Sequence, residues 1–203
     1  MGSCRPAHVS KTMLEIIIQG RGGQGAQTAG NVLARAYFEE GQQVQGFATY
    51  GGARRGTPVN SMIRIDDKPI RLRCDIERAD AILCFDRSLL DGRLLHWADR
   101  ETLIVVNSAG LREDFSSLGD YRIYPIDGVA ISQQHELGRI VNSALLGAFC
   151  CLLGSPAIDT MSATIIEAAP VKQKENVAAC RAGFEVAMRQ FVQGEPIREA
   201  EAR

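Results

Sequence analysis

The spacing of apolar residues changes twice within the first third of the chain. Leu14-Glu15-Ile16-Ile17-Ile18-Gln19 is a β-branched run that stops at glycines, the pattern of a buried parallel strand. Ala29, Val32, Leu33, Ala36 and Tyr37 then recur at three- and four-residue steps, which predicts a helix over 26–40 with one buried face. Gly41 supplies the stop. A second strand over 43–48 completes a β-α-β unit.

Further on, 59–65 reads as a strand, Asp66-Asp67-Lys68-Pro69 as a turn and 70–73 as a returning strand, so a hairpin is expected on the sheet. Hydrophobic runs at 79–85 and 102–107 predict two more strands, separated by a helix over 87–97, and 121–126 predicts another. After Asp127 the strands cease, and helices are expected at 128–137, 142–153, 162–168 and 172–193. The alternation implies an α/β fold: a doubly wound, Rossmann-like, mostly parallel but mixed sheet with flanking helices. At 203 residues one domain is the default, assigned to 13–194, with a disordered extension over 1–12 and a frayed tail over 195–203.

Charge and composition narrow the function. A net charge of −1 provides no general positive field for nucleic acid, so any anion site must be local. No apolar run approaches the roughly 20 residues needed to span a bilayer, and residues 1–12 lack the apolar core of a secretory signal. A cytoplasmic protein without membrane contact is expected. The six cysteines form no C-x-x-C pair, and His96 and His135 have no second ligand at helical spacing. Reduced, mostly buried thiols and no metal site follow, with Cys150-Cys151 packed inside an apolar helix.

Gly20-Arg21-Gly22-Gly23-Gln24-Gly25 satisfies G-x-G-x-x-G between a predicted strand and a predicted helix. Glycines there allow backbone N–H groups to approach a phosphate, and the following helix N-terminus adds donors and partial positive charge. A tight turn and close helix–strand packing would account for the same glycines. A dinucleotide enzyme should also carry an acid at the end of the second strand for the ribose hydroxyls. Here that strand runs into Ala48-Thr49-Tyr50-Gly51, which disfavours ordinary NAD binding.

After it comes Tyr50-Gly51-Gly52-Ala53-Arg54-Arg55-Gly56-Thr57-Pro58-Val59, a glycine-bracketed arginine pair near the carboxyl ends of the strands. Guanidinium groups take phosphate oxygens in bidentate geometry, so Arg54 and Arg55 are candidate partners for a phosphate-rich ligand; a solvated or subunit-facing pair is the alternative. Arg64, Arg71 and Arg73 are each expected to face solvent on the predicted hairpin.

These segments together resemble the gamma subunit, or gamma domain, of pyruvate and other 2-oxoacid:ferredoxin oxidoreductases. The likeness covers most of the chain. It is carried by the glycine loop, the stretch from Tyr50-Gly51 to Pro58-Val59, Ile65-Asp66-Asp67-Lys68-Pro69-Ile70-Arg71, and Asn142-Ser143-Ala144-Leu145-Leu146-Gly147-Ala148. The family's second loop usually places Glu before the arginine pair, where this chain has Ala53.

The resemblance implies CoA-dependent oxidative decarboxylation of a 2-oxoacid to an acyl-CoA and CO2. Thiamine diphosphate with Mg would lie on alpha and beta subunits, and iron–sulfur clusters on a ferredoxin-like delta subunit. Electrons would go to ferredoxin or, through a further flavin subunit carrying FAD, to NAD. This chain would hold no catalytic residue and would help bind coenzyme A. Arg21, Gly22, Gly23, Gln24 and Gly25 would hold phosphate, Arg54 and Arg55 would neutralise it, and Asn142 would cap its helix or reach the ligand. Two rival readings remain open from the residues: a stand-alone NADP-binding reductase, and a purely structural subunit whose basic loops face a neighbour.

Overall fold

The structure is a computed structural model that describes residues 13–50 and 56–192. The segments 1–12 and 195–203, together with Ala53, Arg54 and Arg55, lie outside the described residues.

Six strands form one sheet in the order β2-β3-β1-β4-β5-β6: β1 (Leu14–Arg21), β2 (Gln43–Tyr50), β3 (Pro58–Asp66), β4 (Ala81–Cys84), β5 (Leu103–Asn107) and β6 (Arg122–Ile126). β1, β4, β5 and β6 run parallel, with Ile16 opposite Ala81 and Ala81 opposite Leu103. β3 is antiparallel to both β1 and β2, with Leu14 opposite Ile65 and Gln43 opposite Asp66. The fold is thus the expected mixed α/β sheet. The first β-α-β unit is split, because β3 lies between β1 and β2.

That insertion explains why the hairpin has a different partner from the one predicted. Both edges of β3 are already occupied, by β1 and β2, so 70–73 has no edge to pair with and forms no strand. The segment lies across the sheet instead: Gln45 Nε2 donates to the Leu72 carbonyl, and Arg64 Nη1 to the Cys74 carbonyl. Ile76 is buried in the core beyond.

Alternation along the strands sorts the core into two faces. Ile16 and Ile18 pack with α1 (Ala26–Glu39), α2 (Gly128–Gln134), α3 (Asn142–Leu153), α4 (Ile158–Ala168) and α5 (Gln173–Ala187). Ile17, Met62, Ile82, Ile104 and Ile123 face the other way, against Leu89, Leu94 and Phe115. Among the described residues that second layer contains no long helix. The stretch 87–97 forms two 3-10 turns, Arg87–Leu89 and Leu95–Trp97, because aspartates take amides that a helix would need. Asp86 accepts from Ser88 N, and Asp91 from Arg93 N and Leu94 N.

Arg64 also departs from expectation. It is 1% exposed, ion-paired to Glu15 at 2.9 Å and bonded to Gln45 Oε1, with its guanidinium 5.7 Å from the Phe47 ring centroid. A lone charge buried this deeply requires such partners. Arg71 and Arg73 are exposed, as expected.

Candidate functional site

β1 delivers the glycine loop to the carboxyl edge of the sheet, beside the carboxyl end of β4. In open α/β sheets ligands sit at this edge. The chain leaves β1 at Arg21, turns through Gly22–Gly25 and enters α1 at Ala26. Gly25 occupies the N-cap position with φ 84° and ψ 24°, a left-handed conformation in which a side chain is disfavoured. Gly23 has φ 96°. Gly20 serves packing: a Cβ there would crowd Ala26 and Phe85.

Several of the loop's donors have partners within the chain. Gly22 N donates to the Thr57 carbonyl at 3.0 Å, and Gln24 N to the Arg21 carbonyl at 2.9 Å. Gln24 Oε1 accepts from Arg21 N at 2.7 Å. The Gly23 and Gly25 amides make no hydrogen bond among the described residues.

The Arg21 side chain is held within the protein. Its Nε donates to Asp86 Oδ2 at 2.8 Å, Nη1 to the Gly56 carbonyl at 3.0 Å, and Nη2 to Ser88 Oγ at 2.7 Å. Asp86 Oδ2 also takes Gln24 Nε2 at 3.3 Å, while Oδ1 takes Ser88 Oγ at 2.5 Å. Partial burial opposes ionisation of Asp86. The Ser88 hydrogen bonds and the Arg21 guanidinium outweigh it, holding the carboxyl below its usual pKa. Asp86 escaped the sequence reading; an Asp directly after the buried run 81–85, at the carboxyl edge, was the available signal.

Asn142 is the first residue of α3, not its cap, since Val141 holds the cap position. Its Nδ2 donates to the Gly25 carbonyl at 3.3 Å, tying α3 to the loop. From there a groove of about 210 Å3 opens between helices, lined by Thr28, Val32, Asn142, Leu146, Ile165 and Asn176, with exposed Ile140 and Val171 at its rim. Gly22 through Gly25 and Asn142 therefore converge on one edge with Arg21. Gly56 and Thr57, which lead into β3, bond to Arg21 and Gly22 at the same edge.

The split unit bears on the nicotinamide alternative. In a dinucleotide fold the ribose-binding acid ends the strand next to β1. That place is taken by the antiparallel β3, and β2, one strand further out, carries no carboxylate. Among the described residues no cluster of His, Cys, Asp or Glu could hold a metal, and no helix is long and apolar enough to cross a membrane. His96 is exposed and His135 half-buried.

Fold and edge together define a Rossmann-like α/β domain with a glycine-rich loop at the carboxyl edge of its sheet. The chain belongs to the pyruvate ferredoxin/flavodoxin oxidoreductase family, whose model matches residues 15–186. It is 39% identical over 176 residues to the pyruvate synthase subunit PorC of Methanothermobacter thermautotrophicus, covering 85% of this chain and 95% of that one. To the pyruvate/ketoisovalerate oxidoreductases common subunit gamma of Thermococcus litoralis it is 35% identical over 178 residues, covering 85% and 96%. The crystal structure of the pyruvate oxidoreductase subunit PORC from Thermotoga maritima superposes with a TM-score of 0.76 at 28% identity, covering 86% of this chain and 97% of the other. The chain is accordingly a gamma subunit of a pyruvate/2-oxoacid oxidoreductase complex, in which other subunits are its partners.

Proposed function

We propose that this chain supplies part of the coenzyme A site of its complex, with the glycine loop as the phosphate cradle. The observation that carries the reading is the pairing of unlike surfaces: the glycine loop, whose Gly23 and Gly25 amides have no partner among the described residues, is tied through the Gly25 carbonyl to Asn142, which lines the apolar groove. Coenzyme A has the same division, a phosphorylated nucleotide on a long, largely apolar arm. Gly22, Gln24 and Arg21 fix the cradle, Arg54 and Arg55 neutralise the phosphates, and Asn142 stands where cradle and groove meet.

The complex then carries out CoA-dependent oxidative decarboxylation of a 2-oxoacid. Thiamine diphosphate with Mg belongs to the alpha and beta subunits and the iron–sulfur clusters to the delta subunit, with ferredoxin as acceptor, or NAD where a flavin subunit is added. This chain carries no catalytic group and also serves assembly. It acts in the cytoplasm.

Calorimetry with coenzyme A on the assembled complex tests the reading, comparing the parent with Arg54→Ala/Arg55→Ala. Each charge-assisted hydrogen bond contributes about 1.5–3 kcal/mol, so affinity should fall at least tenfold. Unchanged affinity would make the subunit purely structural and leave the basic loop facing a neighbour.

A further inference from the structure

We infer that Asp86 is a positioning residue for the glycine loop, acting through Arg21 to hold that loop against Gly56 and Thr57 at the start of β3. The inference rests on the coenzyme A reading and concerns the same site.

The geometry has three parts. Asp86 follows β4, so its backbone is fixed by the sheet, and Phe85 N donates to the Gln19 carbonyl at 2.8 Å to continue the β1 register. From that rigid base the carboxylate takes Arg21 Nε and Gln24 Nε2 on one oxygen, the two polar side chains of the loop. Arg21 Nη1 then passes the connection to the Gly56 carbonyl, one residue beyond the Arg54-Arg55 pair, and Gly22 N to Thr57 makes a parallel tie. Each tie alone is ordinary, but they form one chain from β4 to the glycine loop and the start of β3. Ser88 completes it by donating to Asp86 Oδ1 and accepting from Arg21 Nη2.

The ion pair has an electrostatic consequence. With its charge balanced at 2.8 Å and three of its five N–H donors directed at Asp86, Gly56 and Ser88, Arg21 acts first as a brace of the loop. Its contribution is the loop conformation, in which the Gly23 and Gly25 amides have no partner among the described residues. Preorganised donors bind without first being ordered, so disturbing the clamp should weaken binding and leave the chemical step unchanged.

The test is steady-state kinetics of the assembled complex with pyruvate and coenzyme A, using Asp86→Asn, Arg21→Met, the double variant and Gly25→Ala. The clamp predicts that Asp86→Asn raises KM for coenzyme A at least fivefold, with kcat and KM for pyruvate within twofold of the parent. The double variant should be no worse than the poorer single one, because both remove the same connection. A lowered KM in Asp86→Asn would show Arg21 to be a phosphate ligand restrained by Asp86, and additive effects would show independent roles; either overturns the inference. If Gly25→Ala raises the KM and Asp86→Asn does not, the positioning role falls and the coenzyme A site stands. If neither moves it, the site itself falls. Should Asp86→Asn fail to assemble, Ser88→Ala, which keeps both charges, decides: a twofold to fourfold rise in KM for coenzyme A supports the clamp and an unchanged KM overturns it.

Discussion

Gly147 of α3 lies directly against the carbonyl of Cys180 in α5, so closely that a methyl group on it would overlap that carbonyl. The contact is reciprocated by Gly183 of α5 against the Ala144 carbonyl, so the two helices pack backbone to backbone. Helix α3 begins at Asn142, and its position against α5 sets where that side chain meets the loop. Gly147→Ala must push the helices apart, and overpacking of this kind costs about 1–3 kcal/mol. Thermal unfolding should show the melting temperature falling by about 2–4 °C for each kcal/mol lost, as expected at this chain length. Gly92→Ala, where a Cβ meets open space, should stay within about 0.5 kcal/mol of the parent.

Arg64 makes a second stability prediction. Its guanidinium joins β3 to Glu15 on β1, to Gln45 on β2 and to the Cys74 carbonyl in the segment crossing the sheet. Truncating one partner of a buried, hydrogen-bonded ion pair costs about 3–5 kcal/mol. Arg64→Met should therefore be strongly destabilised in denaturant titrations, and Arg64→Met/Glu15→Gln should recover part of the loss. A double variant as unstable as the sum of its singles would show that the pair is not coupled.

These residues also mark what was legible in the sequence. The β1–loop–α1 unit could be read because a β-branched run, a glycine cluster and a 3.6-residue period are all local signals. The partner of β3 could not, since it depends on which sheet edge is left open by strands elsewhere in the chain. Arg64 read as a solvated charge for the same reason: Glu15, its ion-pair partner, is 49 positions away. In the site, the glycines and Asn142 were visible as motif positions. Asp86 was not, because its role exists only through Arg21, 65 residues earlier. Arg21 looked like a free cation next to a phosphate loop, and that fold contact gives it internal partners.

The ion pair at Asp86 has a defined pH signature. Its folded pKa lies below the usual value of 3.8, so the folded state binds that proton less readily than the unfolded chain. Such a group contributes stability that is complete well above 3.8, declines as pH falls from there through the folded pKa, and is absent below it. Urea titrations should find the parent more stable than Asp86→Asn at pH 7, with the gap closing as pH drops below about 4. A constant gap down to pH 2.5 would place the effect of the substitution outside ionisation.

Thiol chemistry should divide the described cysteines. Burial pushes Cys84 and Cys180 up to about 12, and raises Cys150 as well, whereas Cys74 is exposed beside Arg64. Thiolate is the reactive form, so at pH 8 the native chain should be alkylated at Cys74 and protected at Cys84, Cys150 and Cys180. Peptide mass spectrometry after brief iodoacetamide treatment reads this directly. Labelling of Cys150 at the rate of Cys74 would mean that α3 opens readily from the core.

Gly23 and Gly25 differ in a way that separates backbone conformation from side-chain contact. Both have positive φ, so alanine at either is strained, by about 1–2 kcal/mol for a left-handed residue. A Cβ at Gly23 meets open space, whereas one at Gly25 overlaps the Asn142 amide group. Gly25→Ala should consequently be the more destabilised of the two. Removing the obstacle in Gly25→Ala/Asn142→Ala should bring stability back toward that of Gly23→Ala. The hydrogen bond from Asn142 to the Gly25 carbonyl is lost in the double variant, so recovery will be incomplete by the net value of one such bond, about 0.5–1.5 kcal/mol. Equal destabilisation in Gly23→Ala and Gly25→Ala would show that Asn142 can rotate away without cost, leaving the junction of α3 and the loop looser than the structure places it.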